Sequence, residues 1–335
     1  MADVSGVAQS FGVLNYSGQL FNMSDTQTPL ISMLPHRNTS SVEFVINSQY
    51  AMDTPSQPEI SETASLTAPT PTHVTRKQST NVVQIFQKTT AVSYMKQANT
   101  GTLAGINVAG QQNNVPNEFD FQMNVKTAEM RNDLEYTVVN GTYQKAESDS
   151  QANKTKGLIA AITTNTLNAS NKELNPDMLS ELMRKIRKSH APTAGLVILC
   201  DAVTRSQITN NWSKLPGFIL PNSRNVGGFS IDQLVTDFGT VGIMVHDMVP
   251  AGTAILANLS VLEIVEMPTP GKGNFFWESL EKVGAGEKGQ LFGIAGLDYG
   301  PEWYHGKITG LSTSVAPLIP DAAMAASEPA INVEP

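Results

Sequence analysis

Residues 117–141 read NEFDFQMNVKTAEMRNDLEYTVVNG, and within them Phe119, Met123, Met130, Leu134 and Val138 recur at near-helical spacing. That recurrence gives one apolar stripe on a long helix. Lys126, Arg131 and Asp133 fall on the other faces. Pro116 suits the first position of a helix, and Asn140-Gly141 supplies a stop. At 1.5 Å per residue the predicted helix is about 35 Å long.

Upstream of this rod the chain has little core-forming material. Residues 99–115 are a connector rich in Gly, Asn and Gln. Before it, VEFVI (42–46) places Val42, Phe44 and Ile46 on one strand face, and NVVQIFQ (81–87) does the same with Val83 and Ile85. These predict the two strands of a long hairpin. Between them, residues 53–75 hold Pro55, Pro58, Pro69 and Pro71 among Ser, Thr, Ala and Glu. Ordering such a segment costs about 1–2 kcal/mol per residue in backbone entropy, so its tip needs a surface supplied by something else. Residues 1–40 carry two short apolar clusters, Phe11, Val13 and Leu14, then Leu30, Ile31, Met33 and Leu34. They read as an arm that packs, like the hairpin tip, on a neighbouring copy.

Downstream the pattern becomes α/β. Asn175-Pro176 opens a helix with Leu179, Leu182 and Ile186 on one face and Arg184, Lys185, Arg187 and Lys188 toward its C-terminus. GLVILC (195–200) reads as a buried strand, and Asp201 as the N-cap of a helix through about Trp212. Strand-like segments follow at 240–250, 254–260 and 261–268, then in FFWESLEKVG, QLFGIAGLDYG and KITGL. Residues 313–335, rich in Ala, Pro and Ser, show no periodic face and are expected to be disordered.

Composition excludes several classes. A chain of 335 residues has ample length for a core, and a single cysteine, Cys200, excludes a disulfide framework. The 22 Lys and Arg against 30 Asp and Glu give a net charge of −8, which argues against a surface built to neutralise phosphates. The opening residues lack the basic and apolar regions of a signal peptide, and no stretch approaches a membrane span. No membrane partner is expected.

Nor is a reaction centre legible. His36, His73, His190, His246 and His305 are scattered without metal-ligand spacing, and His246-Asp247 lacks a poised nucleophile, so it reads as a polar corner between strands. Cys200 reads as a core residue. Gly284, Gly286 and Gly289 read as a hairpin turn, since no GKS or GKT follows. The cations at 184–188 have no aromatic neighbours for base stacking and read as a solvated helix end. Catalytic residues, cofactors and metals are therefore expected to be absent.

The order of parts resembles the major capsid proteins of tailed bacteriophages, with their Hong Kong 97-type fold. The most specific likeness lies in SLEKVGAGEKGQLFGIAGLDYGPEWYHGKITGL (279–311), together with the acidic helix at 117–141 running into KTKGLIAAI (154–162). It covers roughly residues 5–312. One departure is Tyr299-Gly300-Pro301-Glu302-Trp303-Tyr304, where Pro301 must interrupt a strand ladder.

This resemblance implies an α+β, Hong Kong 97-like fold, divided as follows: an N-arm at 1–40, an extended loop at 41–93, and a peripheral domain at 94–158 and 259–312 with a spine helix near 116–141. An apical domain fills 159–258 and a tail 313–335. It implies a shell protein forming hexamers and pentamers of an icosahedral or prolate head around double-stranded DNA, assembled in the host cytoplasm. Its partners would be scaffolding, portal and decoration proteins, with weak, non-specific DNA contact. Inter-subunit contacts are expected at Pro55, Pro58, Pro69, Pro71, Arg76 and Lys77 of the loop. On the spine helix they are expected at Phe119, Met123, Lys126, Met130, Arg131 and Leu134. A tail-tube or surface subunit of a virion, or an α/β enzyme with a crevice near Asp201 and Arg205, remains open on the residues alone.

Overall fold

A computed structural model describes residues 27–52, 54–68, 70–98, 117–213, 223–226, 229–282 and 284–315. The first arm cluster, Pro69, Pro116, the connector at 99–115, most of 215–228 and the tail beyond 315 lie outside the described residues. In chain order the arm gives α1 (Pro29–Met33) and β1 (His36–Asn38). The hairpin region gives β2 (Glu43–Tyr50), α2 (Glu62–Ser65), β3 (Arg76–Val82), β4 (Gln84–Ser93) and α3 (Tyr94–Ala98). The long helix is α4 (Glu118–Asn140), followed by α5 (Leu158–Ala161), β5 (Thr166–Asn168), α6 (Pro176–Lys188), β6 (Leu196–Cys200) and α7 (Ala202–Ser213). The return gives β7 (Ser223–Val226), β8 (Phe229–Thr236), β9 (Gly239–Val245), β10 (Ala254–Asn258), β11 (Glu263–Glu266), β12 (Phe275–Ser279), β13 (Gly286–Asp298) and β14 (Gly306–Thr309).

The long helix forms where its spacing predicts. The Asn117 side chain accepts from the amides of Phe119 and Asp120, satisfying two donors the first turn leaves free. At its other end the backbone approaches Gly157 so closely that a Cβ on Gly141 would lie 2.5 Å from the Thr137 carbonyl oxygen and 2.6 Å from that of Thr155. Only glycine permits that close approach, which brings the end of α4 against the start of α5.

A seven-stranded sheet, ordered β5-β14-β10-β6-β9-β8-β7, divides the interior. On one face Val197, Leu199, Ile255 and Ala257 join Met130, Leu134 and Val138 of α4. On the other, Leu196, Ile198, Cys200 and Leu256 pack with Leu179, Leu182 and Ile186 of α6. Burial on both faces is why LVILC is an unbroken apolar run rather than an alternating one. The Asp201 carboxylate accepts from Thr204 N at 3.1 Å and the Asn175 side chain from Met178 N at 2.9 Å, so both helices start where their caps predict.

The second sheet is ordered β1-β11-β13-β12, with β4 also paired to β13. Here β13 lies against β12, and Gly289 and Gly293 leave room for the Trp277 and Phe275 rings: a Cβ would come within 2.1 Å and 2.0 Å of them. The β13 ladder ends at Asp298; Gly300 then takes a positive φ of 58° and residues Glu302–Tyr304 form a 3₁₀ turn, so Pro301 lies in the break between β13 and β14. The chain then returns as β14 to the seven-stranded sheet, between β10 and β5. Part of 259–312, grouped by sequence with the spine helix, thus completes the α/β layer.

Two sequence expectations change. The second arm cluster packs within its own chain, because Leu30 and Leu34 are buried against α4. And Val83 and Ile85 do not share a buried face: Val83 is buried, while Ile85 is 61% exposed and Phe86 takes the core position. The cause is a change of sheet at Val83, where the strand leaves β2 and pairs with β13 from Gln84↔Ala295 onward, shifting the inward phase by one residue.

Candidate assembly surfaces

The hairpin stem pairs β2 with β3, Tyr50 opposite Arg76 and Gln49 opposite Lys77, with a register shift between Val45 and Asn47. Every described residue from 51 to 78, which includes the tip and the first three residues of β3, is exposed, among them Pro55, Pro58, Pro71, Arg76 and Lys77. Ser61 caps a single turn, α2, by accepting from Ala64 N. The tip is not merely polar: Met52, Ile60, Leu66 and Val74 are 79%, 67%, 85% and 60% exposed. Sequence reading overlooked these four as a group, although their presence in a segment without its own core was the available signal. Residues 51–75 also carry Asp53, Glu59 and Glu62 with no Lys or Arg.

The long helix α4 divides differently from its sequence stripe. Met130 and Leu134 are 3% and 5% exposed inside the subunit's own core, which corrects their assignment as inter-subunit contacts. Phe119 is half-buried, edge-on to Trp277 with ring centroids 5.8 Å apart. Met123 is also half-buried, and Lys126 pairs with Glu129 at 2.8 Å. The exposed row is Asp120, Asn124, Thr127 and Arg131, one polar face at helical spacing. Arg131 donates to the Thr28 hydroxyl at 3.3 Å, so part of that face already holds the arm.

The arm is fastened along its described length. Arg37 bridges Glu263 at 2.9 Å and Asp298 at 2.6 Å, and His36 meets Glu266 at 2.7 Å. Burial raises the Asp298 carboxyl above its usual range, against the opposing hydrogen bonds from Gly300 N and Arg37. Sequence reading missed a deeper contact: Glu135 and His246 are both fully buried, 2.7 Å apart, which gives the supposed polar corner a partner 111 residues away.

No reactive constellation appears among the described residues. No group of three or more His, Cys, Asp or Glu is placed to hold a metal, and no helix is long and apolar enough to cross a membrane. Burial pushes the Cys200 thiol up to about 12, suppressing the reactive thiolate. Arg205 pairs with Asp232, not with a crevice beside Asp201. A cleft of about 580 Å³ opens between the hairpin stem and the seven-stranded layer, lined by Tyr50, Lys77, Thr164, Glu302 and Trp303. Burial opposes ionisation of Glu302, but donors from Thr163 and Thr164 outweigh it and hold the carboxyl below its ordinary pKa. A carboxylate so occupied serves as an anchor.

The model of one protein family, the SU10 major capsid protein, matches residues 3–312. No curated protein matches by sequence. Among solved structures, the holo-SrpI encapsulin complex of Synechococcus elongatus is similar with a TM-score of 0.60 at 12% identity, over 91% of this chain and 95% of that one. A Mycobacterium phage Patience chain gives 0.57 at 12% identity, over 86% and 84%, and the cyanophage A-1(L) capsid gives 0.57 at 13%, over 89% and 96%. At these identities the structural likeness establishes the fold, which is Hong Kong 97-like.

Proposed function

This chain belongs to the SU10 major capsid protein family, a structural, shell-forming family of tailed phages whose place is the capsid of the virion, and from that premise we propose how its subunits meet. Hexamers and pentamers form a closed head around double-stranded DNA, with the hairpin tip of one subunit lying across the spine-helix region of the next. The observation that carries this reading is the tip itself: four large apolar side chains, Met52, Ile60, Leu66 and Val74, stand open on a segment with no core. Covering each would contribute about 1.5–3 kcal/mol, repeated at every subunit. The polar row Asp120, Asn124, Thr127 and Arg131 offers hydrogen-bonding partners for the Ser- and Thr-rich parts of the tip, and Arg131 a cation for its carboxylates.

Scaffolding, portal and decoration proteins and assembly in the host cytoplasm belong to the same proposal. A net charge of −8 favours weak, non-specific contact with the packaged genome. The test is to replace 53–75 with a short Gly/Ser turn, a change that loop-closure entropy tolerates. The subunit should stay soluble and melt cooperatively, while sedimentation of the assembly reaction shows no closed shells. Normal shells would overturn the assignment of the tip, and an unfolded subunit would place it in the intramolecular core.

A further inference from the structure

Glu135 lies on α4 with 0% exposure, and no cation pairs with it among the described residues unless His246 is protonated. Its carboxylate is nevertheless supplied with donors from two distant parts of the chain. Leu30 N donates to Oε1 at 2.8 Å and Ile31 N to Oε2 at 3.0 Å, both from the first turn of α1 in the arm. His246 donates from Nε2 to Oε1 at 2.7 Å, from the turn that follows β9 of the seven-stranded sheet. The tautomer follows from the other ring nitrogen: Nδ1 accepts from Met248 N at 3.2 Å, so the ring proton sits on Nε2. The backbone that carries the ring is held in place, since the His246 amide donates to the Cys200 carbonyl at 2.8 Å.

We propose that Glu135 is the positioning residue that seats the N-arm, and that by sharing one carboxylate it couples the seated arm to the apical layer. Three donors converge on a group that can only accept. If the arm lifts, both amides leave the carboxylate together and Oε2, buried on α4, loses the donor it has from Ile31, so the docked state is strongly preferred over partly docked ones. Apolar burial of Leu30 and Leu34 holds the arm against α4, and the carboxylate fixes its register there. The seating is a property of the single subunit, while its consequence for shells rests on the assembly reading above.

A donor-acceptor swap tests this. Glu135→Gln keeps the shape but presents one oxygen and one amide group to three donors, so at least one donor meets another donor. Hydrogen exchange of residues 28–34 in the unassembled subunit should then accelerate by about tenfold or more relative to β6 (Leu196–Cys200). His246→Gln alone keeps a side-chain N–H that can donate to Oε1 and leaves both carboxylate oxygens to the arm, so it should change the exchange of 28–34 little, and adding it to Glu135→Gln should restore nothing, because one arm amide still meets the new NH2. A merely structural carboxylate would instead speed exchange equally in 28–34 and β6, and a loss of arm protection in His246→Gln as large as in Glu135→Gln would assign the arm to His246; either result overturns the proposal. If Glu135→Gln is insoluble, the wild-type subunit decides: the Leu30 and Ile31 amides should exchange nearly as slowly as β6, and exchange as fast as the exposed hairpin tip overturns the proposal. Failure of shells in a variant whose arm remains protected would count against the assembly reading alone.

Discussion

Two hairpins of the protein, β12–β13 and β2–β3, differ in what covers them. In β12–β13 each large side chain has a place within the chain: Trp277 and Phe275 lie over Gly289 and Gly293, and β13 is flanked by β12, β11 and β4. In β2–β3 only the base is packed, through Phe44 and Val83 against Val265, and the far end presents Met52, Ile60, Leu66 and Val74 to solvent. Strand pairing alone stabilises neither hairpin, because an isolated two-stranded ribbon is marginal in water. The first is completed by its own subunit, and the second is left for another subunit to complete.

The largest effect is expected where the first hairpin is tightest. Gly293→Val would put a Cβ 2.0 Å from the Phe275 ring, and overpacking of this kind should cost about 3 kcal/mol or more. Urea denaturation of the free subunit measures it, and a cost under about 1 kcal/mol would show that β12 is free to shift. The next effect is a pH dependence on the same packed side. His305 accepts from Asn258 N at 3.1 Å through Nδ1 and donates to the Tyr299 carbonyl at 2.8 Å through Nε2, and burial holds its pKa down to about 4 from 6.5. The folded state keeps the ring neutral while the unfolded chain takes up a proton below 6.5. Its contribution is therefore complete above that pH and falls by about 3 kcal/mol as pH drops from 6.5 to 4. His305→Gln should flatten that part of the stability profile, and an unchanged slope would assign it to other groups.

Much of this frame is legible in the sequence, for local reasons. Asn117 and Asn175 cap the helices they precede, and the unbroken run LVILC declares a strand covered on both faces. What sequence could not assign is which apolar surface meets the same chain and which meets another. Met130 and Leu134 have the spacing of an interface stripe, but Leu30 and Leu34, about a hundred residues earlier, already cover them. Ile85 was misplaced because the change of sheet at Val83 depends on β13, two hundred residues downstream. Glu135 shows no local sign of burial, since its donors lie 105, 104 and 111 residues away. Residues at those separations are brought together only by the tertiary fold.

The smallest effect on the free subunit, and the most informative for the shell, belongs to the open hairpin. Leu66 is 85% exposed, and the single native thiol, Cys200, is buried and held protonated, so Leu66→Cys adds one accessible thiol against a quiet background. The substitution should alter subunit stability by less than about 0.5 kcal/mol. The decisive measurement is the rate of maleimide labelling at that position in free subunits and in closed shells. If a neighbour completes the tip, labelling is fast in the subunit and slower by about tenfold or more in the shell, because the thiolate must be reached before it can react. Equal rates in the two states would contradict the claim that the second hairpin is completed by another copy of the chain.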